Sequence, residues 1–138
     1  MFDGHGGEGC ANFLKERLHL YIVKDENFPA NPAAAITNGF AKCESDFIEF
    51  YALGKNTEVK STNKVHNGIE NIVVDKSGSC AVIALLVNSL CYVANVGDSR
   101  VLLSQNSGKE IKELTTDHKP NLISESKRII ANSGRVYQ

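Results

Sequence analysis

Asp3-Gly4-His5 sets a carboxylate, a residue with no side chain and an imidazole next to one another. A carboxylate oxygen is a hard donor suited to divalent cations, and an imidazole beside it is a candidate proton donor near neutral pH. The same stretch, through Gly4, Gly6 and Gly9, satisfies G-x-G-x-x-G, with Asp25 at about the separation of a ribose contact. A dinucleotide fingerprint must follow a full strand of a βαβ unit, and only Met1 and Phe2 stand before it here. A bulky histidine inside the phosphate turn also counts against that reading. Taken alone, the segment reads as a glycine-rich lead into a helix. The pairing of Asp3 with His5 gives it chemical interest.

Two further segments carry reactive side chains. Val96-Gly97-Asp98-Ser99-Arg100 places an acid at a strand end behind a glycine, from which it could point into a cleft. Spacing alone favours a plainer Asp-Ser turn in which Arg100 pairs with Asp98. In Thr116-Asp117-His118-Lys119-Pro120, Pro120 sets a turn that Thr116 or Asp117 could cap, and a histidine beside such a turn is more often structural than catalytic. His19 and His66 receive no role. No HxxxH or HExxH spacing links the histidines, so a histidine-rich zinc centre is not indicated.

The elements that must position these residues are legible in the apolar periodicity. Phe13/Leu14, Arg17/Leu18 and Tyr21/Ile22 recur at helical steps and predict a helix from Glu8 to about Val23, approached through a tight Gly6-Gly7 turn. Ile36, Phe40, Cys43, Phe47 and Phe50 predict a second helix to about Tyr51, with Asn31 as N-cap and Pro32 as its first residue. The link Lys24–Asn27 makes the two antiparallel. Residues 54–70 are polar and aperiodic and read as a long surface loop. Ser79–Val87 is nearly all apolar, as in a strand buried on both faces. Asn88-Ser89 is a turn, and Leu90–Val96 returns as the second strand of a hairpin. Val101–Ser104, a turn at Asn106-Ser107-Gly108, and Glu110–Leu114 suggest two more strands. Ser124–Asn132 reads as a helix stopped by a left-handed Gly134, and Val136–Gln138 as the opening of another strand. Paired helices followed by antiparallel strands imply α+β architecture, and a parallel doubly wound sheet is not expected.

Composition bounds the partners. The 138 residues carry 15 Lys plus Arg against 16 Asp plus Glu, a net charge of −1, which argues against a protein held to nucleic acid by bulk charge. The longest apolar run, Cys80–Val87, falls far short of the ~20 residues of a membrane span, so no membrane association is expected. Cys10, Cys43, Cys80 and Cys91 form no CxxC pair. Although Cys80 and Cys91 could face each other across the hairpin, reduced thiols in a reducing compartment, cytoplasmic or nuclear, are the simpler reading.

Taken in order, Phe2-Asp3-Gly4-His5-Gly6-Gly7, Ser77-Gly78-Ser79-Cys80-Ala81, Val93–Arg100, Leu114–Pro120, and Glu125, Arg128-Ile129 with Gly134-Arg135-Val136 resemble the metal-dependent protein phosphatase family, the protein phosphatase 2C serine/threonine phosphatases. The resemblance runs from residue 2 to 138; Cys80 departs from a threonine common in the family. It implies an α-β-β-α sandwich, present in part, and a binuclear Mg²⁺ or Mn²⁺ centre that activates a water for hydrolysis of phosphoserine and phosphothreonine. In that family the residue matching Asp3 bridges the metals, Gly4 supplies a carbonyl, His5 protonates the leaving oxygen, and Asp98 is associated with a weaker additional metal. A phosphoprotein substrate and a monomeric complete protein are implied. A phosphate-binding arginine and an acidic pair ahead of Asp3, and later acidic motifs, have no counterparts within residues 1–138. The expectation is therefore a partial catalytic domain over 1–138, inactive by itself. The alternative is a catalytically silent phosphatase-like binding or regulatory module.

Overall fold

The structure is a computed structural model that describes residues 1–49 and 75–137, so the polar stretch 54–70, together with Phe50, Tyr51 and Gln138, lies outside the described residues. The chain divides into two compact units, Phe2–Ser79 and Cys80–Gln138 with Met1. Among the described residues the fold is α+β, as expected, with three α-helices and two small antiparallel sheets, one of three strands and one of two.

The first unit is built on a helix hairpin. In α1, Gly9–Lys24, the apolar stripe Phe13, Leu14, Leu18 and Ile22 is buried; in α2, Pro32–Phe47, Ala35, Ile36, Cys43 and Phe47 are buried. Burial of each large aliphatic side chain stabilises by about 1.5–3 kcal/mol, so this seam holds the hairpin together. The helices run back along each other: Phe13, early in α1, meets Phe47, at the end of α2, with ring centroids 5.6 Å apart. Gly39 of α2 stands against Ile22 of α1, where a Cβ would lie 2.6 Å from Ile22 Cγ1. The expected cap is present, since Asn31 Oδ1 accepts the Ala34 N–H at 3.2 Å and Pro32 opens the helix. The link is tied down by Asp25, which accepts from Asn27 N–H at 2.9 Å, Asn27 Nδ2 at 2.8 Å and Asn38 Nδ2 at 3.0 Å.

One strand was not anticipated. β1, Phe2–His5, contains the Asp-Gly-His segment itself, in a stretch too short and too glycine-rich to show alternation.

The second unit opens with the expected hairpin. β2, Gly78–Val87, which belongs to this unit from Cys80 onward, pairs antiparallel with β3, Leu90–Val96, in a register running from Ala81↔Val96 to Val87↔Leu90. Asn88 accepts φ 55° at the turn. The expectation that β2 is buried on both faces fails: Ala81 alone among its residues is buried, and Leu86 is 77% exposed. Its apolar run therefore reflects one covered face in the Ala81 region, not two. Cys91 lies opposite Leu86, which keeps it away from Cys80, and no disulfide joins any of the four cysteines.

β4, Leu102–Gln105, and β5, Glu110–Glu113, pair through a turn with positive φ at Asn106, Ser107 and Gly108. The last helix, α3, Ile123–Ala131, ends differently from expectation. Ser133, not Gly134, takes the left-handed position at φ 62°, and Gly134 N–H reaches back to the Ile129 carbonyl at 2.8 Å while Ser133 N–H reaches Ile130 at 3.0 Å. This is a Schellman closure, with the glycine one residue beyond the left-handed position. A Cβ on Gly134 would fall 2.7 Å from Ile129 Cγ2, which is the steric reason for glycine there. Residues 136 and 137 are not in a strand.

Candidate functional site

Asp3, Gly4 and His5 are consecutive exposed residues of β1. Side chains two apart on a strand share a face, so Asp3 and His5 project together and Gly4 faces the other way. That other side is the α1 side: a Cβ on Gly4 would come 3.1 Å from Ala11 Cβ. The His5 ring lies over Gly78, where an added Cβ would stand 2.9 Å from His5 Cε1. Gly6 and Gly7, at φ 69° and 140°, then turn the chain into α1 through backbone conformations that side chains disfavour.

The start of α1 is secured by residues far along the sequence. Ser77 is buried; its hydroxyl accepts the Cys10 N–H at 2.8 Å, while its own N–H donates to Asp75 Oδ1 at 2.8 Å. Glu8, the N-cap position, makes no side-chain cap, so Ser77 does the work of satisfying a first-turn amide. A Cβ on Gly9 would collide with the Asp75 carboxylate. Ser77 opens the Ser77–Ala81 motif, whose residue types by themselves point to no role for it. Its only local signal is a serine beside glycine, and its partner is 67 residues away.

In the second unit, Gly97 follows β3 at φ 106°, and Asp98 is exposed, accepting from the Cys80 thiol at 3.3 Å. Arg100 does not pair with Asp98, the arrangement spacing favoured. Its Nε and Nη2 donate to Asp117 Oδ1 and Oδ2 at 2.9 and 3.0 Å, and its Nη1 reaches Glu113 Oε1 at 3.0 Å. The planar fork of the guanidinium matches a carboxylate edge, and Asp117 presents both oxygens to it. Lys119 Nζ adds a contact to Asp117 at 3.0 Å. The Arg100 hydrogen bonds, followed by that of Lys119, hold the Asp117 carboxyl well below the usual carboxylate range against the opposing effect of its burial. Asp117 is thus an ion-pair anchor, not a turn cap. His118 is structural in its contacts: its N–H donates to the Gly97 carbonyl at 2.9 Å, and its Nδ1 accepts the Gly97 N–H at 3.3 Å.

The first unit therefore brings Asp3, Gly4 and His5 onto one strand, and Asp98 belongs to the second unit. Among the described residues, no three His, Cys, Asp or Glu side chains are grouped as a metal site. The donor types at β1, an exposed carboxylate and a backbone carbonyl, are hard oxygens that fit Mg²⁺ or Mn²⁺ as part of a shell. No helix of the described residues is long and apolar enough to cross a membrane.

An α+β domain with an Asp-Gly-His strand leading through two glycines into a helix hairpin defines the class of protein. Over residues 1–138 the chain matches the family described as protein phosphatase 2C, and it belongs to that family. It is 38% identical over 136 residues to "Probable protein phosphatase 2C 52" of Oryza sativa subsp. japonica, covering 99% of this chain and 23% of that protein. It is also 38% identical over 136 residues to "Probable protein phosphatase 2C member 13, mitochondrial" of the same organism, covering 99% of this chain and 31% of the relative. "Protein phosphatase 2C 56" of Arabidopsis thaliana is 34% identical over 139 residues, covering 100% of this chain and 29% of the relative. The chain thus spans about a quarter to a third of the length of the relatives it matches.

Proposed function

We propose that this chain forms part of a metal-dependent protein serine/threonine phosphatase that hydrolyses phosphoserine and phosphothreonine in proteins with Mg²⁺ or Mn²⁺. The observation that carries the reading is the shared face of Asp3 and His5 on β1, both exposed beside the Gly6-Gly7 turn. The family and the names of the relatives support it.

Asp3, through its carboxylate, and Gly4, through its carbonyl, would hold the metal, with Asp98 a donor to a weaker additional ion. The remaining donors and the phosphate-binding groups would come from other residues of the full-length protein. When bound, the metal supplies Lewis-acid stabilisation of phosphoryl charge and a nucleophile at neutral pH. His5 handles the other end of the displacement. As the phosphorus–oxygen bond breaks, the serine or threonine oxygen would depart as a strong base, and the His5 imidazolium gives it a proton and is left neutral. We take the compartment to be reducing, cytoplasmic or nuclear, and the full-length protein to be a monomer.

The test is turnover of a phosphothreonine peptide by the full-length protein with Mn²⁺, beside Mn²⁺ binding by calorimetry. Turnover that Asp3→Asn abolishes is the expected result. A full-length protein that neither binds Mn²⁺ nor releases phosphate is instead a phosphatase-like binding module. The 138-residue chain alone is expected to release no phosphate.

A further inference from the structure

Gly97, half-buried, is held through both its backbone polar groups. A Cβ at this position would lie 2.8 Å from Cys80 Cβ, and φ 106° already excludes most side chains. Its carbonyl accepts both the His118 N–H at 2.9 Å and Asn95 Nδ2 at 3.1 Å, and Asn95 Nδ2 also reaches the Thr116 carbonyl at 3.3 Å. Its N–H has the His118 ring nitrogen Nδ1 as acceptor at 3.3 Å. One residue thus engages both backbone polar groups of Gly97, and the next residue is Asp98, whose carboxylate is steadied by the Cys80 thiol.

We propose that His118 is a positioning residue, whose Nδ1 lone pair and backbone N–H clamp the Gly97 peptide and so fix the turn that carries the Asp98 carboxylate. An acceptor at Nδ1 requires the imidazole proton to sit on Nε2, so the clamp selects one tautomer. The physical point is that Gly97 alone has too much conformational freedom to aim its neighbour. A ring that supplies an acceptor at the right distance removes that freedom. The consequence for Asp98 rests on the reading of that carboxylate as a metal donor; the clamp does not.

Two substitutions in the full-length protein separate the acceptor from the ring. His118→Phe keeps the ring and removes the acceptor, and His118→Asn keeps an acceptor oxygen near the Nδ1 position and removes the ring. Both variants retain the backbone N–H at 118. Hydrogen exchange of the peptide spanning residues 93–100, followed by mass spectrometry, reads the clamp directly. Exchange at Gly97 is expected to quicken roughly tenfold in His118→Phe, the size of one hydrogen bond, and to stay near wild type in His118→Asn. Mn²⁺ affinity by calorimetry is expected to follow the same order. Equal exchange in the two variants, whether both protected or both unprotected, overturns the proposal, and thermal melts show that each variant is folded. Asp98→Asn distinguishes the two ideas: if it leaves Mn²⁺ affinity unchanged, Asp98 is not a metal donor. The exchange comparison then still decides whether His118 holds Gly97.

Discussion

Arg100 holds Asp117 through two parallel hydrogen bonds, Nε to Oδ1 at 2.9 Å and Nη2 to Oδ2 at 3.0 Å. The pair joins the segment after β3 to the segment before Pro120, and Asp117 is only 8% exposed. A carboxylate so placed depends on its partner. Its folded-state titration lies below that of the unfolded chain, so the stability it contributes is present above about pH 4 and is lost as pH falls toward the folded value. In Arg100→Ala that titration moves up and the melting temperature drops, by more at pH 5 than Arg100→Lys, which retains charge but not the fork. Thermal melts from pH 7 to pH 3 check this, and equal melting temperatures for both variants and the wild type would refute it.

Tyr21 O–H donates to Asp46 Oδ2 at 2.6 Å, and Lys42 Nζ meets Asp46 Oδ1 at 2.8 Å. Burial, then the hydrogen bond to Asp46, pushes the Tyr21 phenol up to about 12. A raised phenol favours the folded state below pH ~10, and that contribution fades as pH climbs from there toward the folded value. Tyr21→Phe is expected to destabilise by about 1 kcal/mol at pH 7 and to remove this alkaline dependence. Chemical denaturation at pH 7 and pH 10.5 provides the comparison.

Gly39→Ala tests the close approach of the helix hairpin. A methyl group there meets Ile22 Cγ1 at 2.6 Å and the Ile22 backbone nitrogen at 3.3 Å, so the Ile22 side chain or the helices must shift. Overpacking of this kind costs about 1–3 kcal/mol, more than the roughly 1 kcal/mol that alanine gains over glycine in a helix. A lower denaturation midpoint with unchanged slope is expected. An unchanged or higher midpoint would show that the seam has slack.

His5→Ala in the full-length protein is expected to lower kcat by about 10²–10⁴-fold, with little loss of Mn²⁺ affinity, because His5 is assigned to the leaving oxygen and Asp3 to the metal. A peptide ester with a far better leaving group should narrow the deficit. Unchanged kcat would remove His5 from the reaction.

How much was legible in the sequence divides along a physical line. Local patterns determined the two long helices, the Asn31 cap of the second, the hairpin turn at Asn88 and the second strand pair, because periodicity, capping and turn chemistry act over a few residues. The motif order was equally legible and led to the family. Long-range pairing was not. Spacing placed Arg100 against Asp98, two residues away, whereas the folded chain gives it Asp117 and Glu113, which offer a two-oxygen edge and a further carboxylate. Ser77 as the acceptor for Cys10, and His118 as the clamp on Gly97, are likewise products of distant segments meeting. The strand at Asp3 was hidden for another reason, since four residues around a glycine show no alternation. Side-chain types and short-range spacing could name the chemistry; only tertiary structure could say which donor meets which acceptor.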